Sequence, residues 1–363
     1  MKNLVLQKFH EGLNARFTEV NGMEAVNHYG DPLAELAALR GAAGVLDLSF
    51  RSRLCVLGAD RQKFLNGQVT NNVKDLKVGE GCYAALVNAK GKMQSDLNVY
   101  LLENEVLLDF EPGYSAAVAQ RLEKFIIADD VQVADVAPQY GLLSVQGPGA
   151  GDVISQLWPG AAQPAQARQF ISRKDSAAGE LYLMNLPRVD SSGFDLFVPA
   201  AALGAIADQL VTATETVGGR ACGWQALEAA RIEAGIPRFG VDMDESNLPP
   251  EAGIEDRAVS YSKGCYIGQE VIARIRTYGQ VARSLRALRL ADSIKELPRR
   301  GDKLFWGGKE VGSITSALAS PTFNCNIALA YVRREHNEIG AELTLRTAEG
   351  ESTARIVKLP PER

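Results

Sequence analysis

The chain has 363 residues, of which 46% are apolar and 23% are charged. This balance is typical of an ordered globular protein, and the length exceeds what a single hydrophobic core usually holds. The net charge of −5 and the even spread of lysine and arginine argue against nucleic acid as a partner. Because no apolar run reaches the length of a membrane span or of a signal-peptide core, we expect a cytoplasmic protein without a membrane partner.

The first part of the chain predicts a mixture of helices and strands. Leucine spacing indicates a short helix within 32–46, and loose alternation indicates a strand over 45–57. Asp60 stands where the N-cap of a helix is expected. Three strand-like runs separated by polar turns follow over 81–110 and predict an antiparallel meander. Because helical spacing over 115–127 follows these strands, the pattern favours an α+β fold.

The chain changes character after residue 282. Before that point, apolar spacing predicts a helix over 224–233, and the passage around Pro249 and Pro250 cannot be helical. Beyond it, the segment 283–359 consists of short alternating runs joined by glycine-containing turns. Short strands at this spacing predict a small β-barrel or sandwich at the carboxy-terminal end.

Cysteine and histidine are few and scattered. None of the five cysteines forms a Cys-x-x-Cys pair, and no two of the three histidines are close in sequence. This spacing argues against a disulfide framework and predicts no metal site.

One cysteine stands out in the stretch YSKGCYIGQEVIARI. Apolar residues from Ile267 onward share one helical face, which places Cys265 just before the first turn of the predicted helix. The positive end of the helix dipole and the nearby Lys263 and Arg274 would favour an ionised thiol there. The alternative is that Cys265 only fills space where the chain enters the helix.

Three further charged residues have ordinary local interpretations. Asp96 belongs to the polar side of an alternating strand, which is also what a solvated sheet face would show. The local pattern predicts that Asp195 lies on a strand and that Arg231 lies on the surface of a helix. Periodicity alone therefore leaves open whether any of the three is functional.

The run KGCYIGQE, residues 263–270, resembles the signature of the folate-binding YgfZ family, a branch of the superfamily of the glycine cleavage T-protein, an aminomethyltransferase. The stretches FLNGQVTNNV, NAKGKMQSDL, SVQGPGA and RIEAGIPRFGVDMDESNLPPEAG extend the resemblance over most of the chain. It implies an α+β fold arranged as a ring of three domains. Two intertwined α+β subdomains form a folate-binding body over 1–282, the second at approximately 54–140, and an antiparallel β-barrel follows over 283–363.

The resemblance also implies a tetrahydrofolate site in a central channel. Asp96 is similar to the aspartate beside the reactive nitrogens of the folate, Asp195 to a pterin-binding glutamate, and Arg231 to a folate-contacting arginine. Asp195 is one carbon shorter than that glutamate. The predicted site thus has Cys265 as the catalytic residue and five cofactor-binding residues: Asp96, Asp195, Arg231, Lys263 and Gln269.

Three departures from the T-protein pattern bear on the function. Ser95 and Cys265 stand where the T-protein has aspartates, and Leu107 stands where an aromatic residue is expected. The family resemblance then implies a tetrahydrofolate-binding accessory protein in the assembly or repair of iron-sulfur clusters, with iron-sulfur client or assembly proteins as partners. The alternatives are a folate-dependent one-carbon or aminomethyl transferase and a structural partner with a vestigial pocket.

Overall fold

The computed structural model describes residues 4–358, and the chain divides into two compact units. The first unit comprises Met1–Ala84 and Ser95–Glu228, and the second comprises Ala85–Gln94 and Ala229–Arg363. The described helices are α1 (Gln7–Gly12), α2 (Pro32–Gly41), α3 (Arg61–Gln68), α4 (Ser115–Glu123), α5 (Ala150–Leu157), α6 (Leu203–Thr216), α7 (Trp224–Glu233), α8 (Glu255–Ala258) and α9 (Gln269–Tyr278).

The strands fall into a hairpin, two larger sheets and a barrel. Those before residue 222 are β1 (Arg16–Val20), β2 (Met23–His28), β3 (Gly44–Asp47), β4 (Ser52–Leu57), β5 (Gly81–Val87), β6 (Met93–Leu101), β7 (Val106–Phe110), β8 (Gln132–Asp135), β9 (Tyr140–Gln146), β10 (Phe170–Asp175), β11 (Gly179–Asn185), β12 (Gly193–Pro199) and β13 (Arg220–Ala221). Those that follow are β14 (Arg283–Leu290), β15 (Lys303–Trp306), β16 (Lys309–Ser320), β17 (Cys325–Arg333), β18 (Glu342–Thr347) and β19 (Gly350–Val357).

The first unit is built on two sheets. One has the strand order β10-β11-β12-β9-β3-β13 and the other the order β5-β6-β7-β4-β8. Helices α5 and α6 pack on the first of these sheets, because the three- and four-residue spacing of Leu203, Ile206 and Leu210 places their side chains on one buried face. The six-stranded sheet thus has a fixed backing on one face.

The second unit contains a closed six-stranded barrel with the order β14-β17-β16-β15-β18-β19. Its inward side chains, among them Leu288, Leu304 and Ile356, form their own apolar core. The predicted α+β class with a carboxy-terminal antiparallel barrel is therefore confirmed, as are the meander β5-β6-β7 and helix α7.

Two local predictions were wrong. The single strand expected over 45–57 is two strands in different sheets, β3 and β4, because a turn in which the Arg51 N–H donates to the Leu48 carbonyl separates them. The helix expected from Ile267 begins only at Gln269, because Gly268 has a φ of +84° and cannot be part of it. A Cβ at Gly268 would also lie 2.5 Å from the Asn88 carbonyl oxygen.

Gly193 and Gly204 provide a matched test of how closely the first unit is packed. A Cβ at Gly193 would overlap the buried Gln146 amide, whereas a Cβ on helical Gly204 would meet only Leu6, at 3.7 Å. We expect Gly193→Ala to lower the free energy of unfolding by about 1–3 kcal/mol. Gly204→Ala should raise it by about 0.5–1 kcal/mol. Urea denaturation compares the two, and a neutral Gly193→Ala would contradict the described packing.

Candidate active site

Five charged side chains of the first unit form a buried network of alternating sign. Arg51 Nε and Nη1 donate to Asp109 and Glu111, each at 2.8 Å. Arg188 Nη2 donates to Asp109 at 3.0 Å and to Asp195 at 2.5 Å. We call this set, which runs Glu111–Arg51–Asp109–Arg188–Asp195, the ion-pair network. Removing any inner member would leave a buried charge without its partner, which is costly.

Strand pairing positions the carboxylates of this network. Asp109 lies on β7, which pairs antiparallel with β4, and Arg51 immediately precedes β4. Asp195 lies on β12 directly opposite Ser144 of β9, whose hydroxyl hydrogen bonds to it. The two carboxylates are therefore fixed by sheets, while Arg188 reaches them from the loop between β11 and β12.

The charges of the network affect one another strongly. Burial alone would raise the pKa of Asp109, but the neighbouring Arg51 and Arg188 outweigh burial and lower this pKa to about 2. Burial raises the pKa of Asp195, and Arg188 opposes that increase. Asp109 is therefore ionised throughout the neutral range and keeps both guanidinium groups in place.

Asp96 lies beside this network, on β6. Its Oδ2 accepts a 2.8 Å hydrogen bond from the Tyr83 hydroxyl, and its Oδ1 is buried without a hydrogen-bond partner among the described residues. Burial and the charge of Glu111 raise its pKa to about 6, against the opposing effects of Tyr83 and Arg51. A carboxyl group with a pKa near neutrality can both accept and donate a proton under working conditions.

Asn98 and Arg168 link Asp96 to the ion-pair network. Asn98 Nδ2 donates to Asp109 at 3.1 Å, and Asn98 Oδ1 accepts from Arg168 Nε at 3.3 Å. The Arg168 guanidinium lies 5.3 Å from the centroid of the Tyr83 ring, within the range of a cation–π contact. Tyr83, which donates a hydrogen bond to Asp96, is thus itself positioned by Arg168.

Tyr100 adds a buried hydroxyl to the same region. Its side chain is fully buried, and the hydroxyl has no hydrogen-bond partner among residues 4–358. The charges of Asp195 and Asp109 act on it, and burial is the main reason why its pKa is raised. Because buried polar groups are rarely left unpaired, this hydroxyl is suited to a water molecule or a ligand.

The second unit places Arg231 in a different buried network. Arg231 Nη1 lies 2.5 Å from Asp242 Oδ2, and its Nη2 donates to Ser316 Oγ at 3.0 Å. Asp242 Oδ1 also accepts hydrogen bonds from Thr315 and Ser316, at 2.6 and 2.7 Å. Arg231 thus ties the end of α7 to strand β16, and its predicted contact with folate stays a prediction.

The three motif residues lie around the start of α9. Lys263 is buried, with Nζ 5.0 Å from the centroid of the Tyr266 ring. Cys265 is exposed, and Gln269 is the first residue of the helix. Because α9 starts four residues after Cys265, the thiol does not lie at its first turn, and the argument from the helix dipole no longer applies. The roles of all three residues stay predictions.

The six predicted residues therefore divide between the two units. Asp195 belongs to the ion-pair network of the first unit and Asp96 lies beside it, whereas Arg231, Lys263, Cys265 and Gln269 belong to the second unit. Sequence reasoning missed the partners that define the first group, namely Arg51, Tyr83, Tyr100, Asp109, Arg168 and Arg188. In the sequence, the one pattern that pointed to this group of residues is the polar residue at every second position of β6, at Asp96, Asn98 and Tyr100.

Comparison with solved structures defines the class of fold. The chain is similar to the glycine cleavage system aminomethyltransferase T of Bartonella henselae, with a TM-score of 0.89 and 24% sequence identity. The match covers 99% of this chain and 97% of the other. At this identity the likeness establishes the fold alone.

Comparison of sequences defines the family. The family model described as "GCVT N-terminal domain" matches residues 6–263, and the one described as "Glycine cleavage T-protein C-terminal barrel domain" matches residues 283–361. The chain therefore belongs to the glycine cleavage T-protein family, and the predicted superfamily is confirmed. Tetrahydrofolate is the ligand of this family, so the predicted cofactor is confirmed at the family level.

Several relatives are similar over their whole length. An aminomethyltransferase of Saccharopolyspora erythraea is 29% identical over 98% of this chain and 96% of its own. An aminomethyltransferase of Aquifex aeolicus is 30% identical over 94% and 91%, and one of Bacillus subtilis is 26% identical over 99% of both.

These relatives correct the predicted function. The prediction of an accessory protein for iron-sulfur enzymes was wrong, because the full-length similarity is to aminomethyltransferases and nothing in it supports iron-sulfur partners. The similarity favours the alternative prediction, a folate-dependent transferase. Within residues 4–358, no helix is long and apolar enough to cross a membrane.

Proposed function

We propose that this protein is a tetrahydrofolate-dependent aminomethyl transferase in which Asp96 is the group that moves protons. The environment of Asp96 is the observation that carries the proposal. Its Oδ1 is buried without a hydrogen-bond partner among the described residues, and its pKa is raised to about 6. The full-length similarity to aminomethyltransferases supports the same activity. The domain division at residue 282 and the cytoplasmic location remain part of the proposal.

The residues of the first unit fit a folate ligand. A pterin ring offers both donors and acceptors at its edge, and the unpartnered Asp96 Oδ1 and Tyr100 hydroxyl are polar groups that such a ring could satisfy. Tetrahydrofolate, when bound, supplies the amine nitrogens that receive the one-carbon group. The chain itself supplies a carboxylate held by Tyr83 at 2.8 Å.

The proposed chemistry needs two proton movements. The two amine nitrogens that come to share the transferred carbon each lose a proton; one of these protons goes to the departing ammonia, and the other goes to the atom of the donor that releases the carbon. The Asp96 carboxylate accepts the first proton, and its raised pKa lets the resulting acid return it. Tyr83 orients the carboxylate, and Arg168 and Asn98 hold its surroundings.

Cys265 and the subfamily resemblance remain predictions beside this proposal. The KGCYIGQE run resembles the YgfZ branch, but the iron-sulfur function implied by that branch is not retained. Cys265 is exposed at the approach to α9, where its thiol is accessible to a reactant.

Ammonia release tests the proposed function. Purified protein supplied with tetrahydrofolate and an aminomethyl donor should release ammonia in proportion to the tetrahydrofolate consumed, and omission of tetrahydrofolate should stop turnover. Calorimetry with tetrahydrofolate alone is the companion measurement. An intact protein that binds no tetrahydrofolate at high micromolar concentration would contradict the proposal and favour a vestigial pocket.

A further inference from the structure

Arg188 changes how the candidate pterin site has to be understood. The resemblance predicts that Asp195 accepts hydrogen bonds from the pterin edge directly. In the structure, however, Arg188 Nε lies 3.1 and 3.0 Å from the two Asp195 oxygens, and Arg188 Nη2 lies 2.5 Å from Oδ2. The Ser144 hydroxyl hydrogen bonds to the same carboxylate. A carboxylate has about four lone-pair positions, so little capacity is left for a ligand.

Displacing Arg188 from Asp195 would be expensive. Asp195 is fully buried, and breaking a buried ion pair is strongly destabilising because it leaves a charge without its partner. A neutral pterin edge cannot replace the positive charge. The arrangement therefore favours an arginine that stays in place when a ligand binds.

The remaining nitrogen of Arg188 is available. Nε and Nη2 are used by Asp195 and Asp109, whereas Nη1 makes no hydrogen bond with residues 4–358. The side chain retains 11% of its exposed surface. A guanidinium group has five N–H donors in a fixed plane, so the hydrogen bonds that fix its Nε and Nη2 edge also fix the direction of the N–H groups of Nη1.

The backbone of Arg188 is fixed as well. Its N–H donates to Gln146 Oε1 at 2.8 Å, and Gln146 is fully buried and bonded to Ser144 and to the Leu186 carbonyl. The close approach of Gly193 to Gln146 keeps this amide in place. Arg188 is thus fixed both at its backbone N–H and at its guanidinium group.

We propose that Arg188 is the residue that recognises the ligand at this position, through Nη1, and that Asp195 and Asp109 are positioning residues that aim it. This inference rests on the proposed function, because the ligand is taken to be a reduced folate. The group recognised is a hydrogen-bond acceptor of the ligand.

The charges indicate which acceptor fits. The ion-pair network holds three carboxylates and two guanidinium groups, and Arg168 and Asp96 beside it add one charge of each sign, so the region has no excess of positive charge. Such surroundings disfavour the anionic glutamate tail of a folate and favour a neutral carbonyl oxygen, such as the oxo group of the pterin ring. The buried Tyr100 hydroxyl, on which the charges of Asp195 and Arg188 also act, is a second unpartnered group in the same region.

The test is calorimetric titration of three variants with two ligands, tetrahydrofolate and 6-methyltetrahydropterin, which lacks the tail. We expect Arg188→Gln to weaken the binding of both ligands about 10- to 100-fold, as expected for loss of a charged hydrogen bond. Arg188→Lys keeps the positive charge beside Asp195 but cannot present the second donor edge, so it should be well folded and still bind weakly. Arg173→Gln, an exposed arginine on β10, is the matched control and should bind like the wild type.

A double variant separates recognition from positioning. If Asp195 acts only through Arg188, Asp195→Asn weakens binding in the wild-type background and has no further effect in Arg188→Gln. Equal losses in both backgrounds would show direct contact by Asp195 and overturn the inference, as would wild-type affinity in Arg188→Lys.

The two ligands separate the remaining outcomes. An effect of Arg188→Gln on tetrahydrofolate alone would mean that Arg188 binds the tail, which overturns the assignment to the pterin carbonyl. If the wild-type protein binds neither ligand, the proposed function itself fails. If it binds both and Arg188→Gln does not matter, only the present inference fails.

Discussion

Asp96→Asn is expected to lower the rate of aminomethyl transfer to tetrahydrofolate about 10²- to 10⁴-fold, the usual contribution of a positioned acid–base group. Asparagine keeps the shape of the side chain and can still accept the hydrogen bond from Tyr83, but it cannot take up a proton. Binding of tetrahydrofolate should change much less than turnover. Single-turnover kinetics together with calorimetry measure the two effects separately.

The same substitution is expected to stabilise the fold. The pKa of Asp96 is raised from 3.8 in the reference state to about 6 in the folded protein, so ionisation of Asp96 opposes folding as the pH rises through this interval. At pH 7, Asp96→Asn should therefore raise the free energy of unfolding by up to about 3 kcal/mol. The gain should disappear below about pH 4, where the carboxyl group is protonated in both states.

The pH profile checks the assignment of the proton acceptor. Since the ionised form of Asp96 accepts the proton, the wild-type transfer rate should fall as the pH decreases through about 6. Tyr83→Phe removes a hydrogen bond that favours the ionised form, so the profile of that variant should move to higher pH. An Asp96→Asn variant with wild-type turnover, or an unchanged profile in Tyr83→Phe, would exclude Asp96 from this role.

Arg231→Met is expected to lower the free energy of unfolding by about 3–5 kcal/mol, because Asp242 would be left buried without its cation. The Asp242 carboxylate lies in a site built to hold it, with hydrogen bonds from Thr315, Ser316 and the Arg238 N–H. The double variant Arg231→Met/Asp242→Asn removes both charges and should recover most of the loss. Urea denaturation measures all three variants, with the exposed barrel residue Arg289→Met as a control.

The double variant also decides between two roles for Arg231. If the arginine only holds Asp242 and the barrel strand, the recovered double variant should bind tetrahydrofolate within a few-fold of wild type. A stable double variant that has lost tetrahydrofolate binding would instead support the predicted direct contact. A single variant as stable as the wild type would contradict the buried ion pair.

Apolar periodicity predicted the secondary-structure elements that are determined by residues close together in sequence. Helix α7, the meander of β5, β6 and β7, and the carboxy-terminal barrel follow from periodicity within each segment, and all are present. Gly268 shows where such reasoning fails, because its positive φ delays the start of α9 and separates Cys265 from the helix. Periodicity reports which face is apolar, but it does not report the conformation of a single glycine.

The candidate site was less predictable because its residues interact over long sequence separations. Alternation along β6 placed Asp96 on a polar face, but Arg51 and Glu111, whose charges act on it, are 60 residues apart. Arg188 lies in a loop without periodicity, and only the sheet pairing of β12 with β9 brings Asp195 to a fixed position beside it. The pairing of Asp195 with a cation therefore could not be inferred from the strand pattern.

The most direct measurement of the central claim follows the one-carbon group itself. Wild-type protein is mixed with tetrahydrofolate and an aminomethyl donor labelled with ¹³C in the transferred carbon, and the label is followed by NMR. We predict that the label appears on tetrahydrofolate with release of one ammonia per transferred carbon, and that Asp96→Asn slows its appearance at least about 100-fold. Label that stays on the donor while tetrahydrofolate is bound would contradict the account.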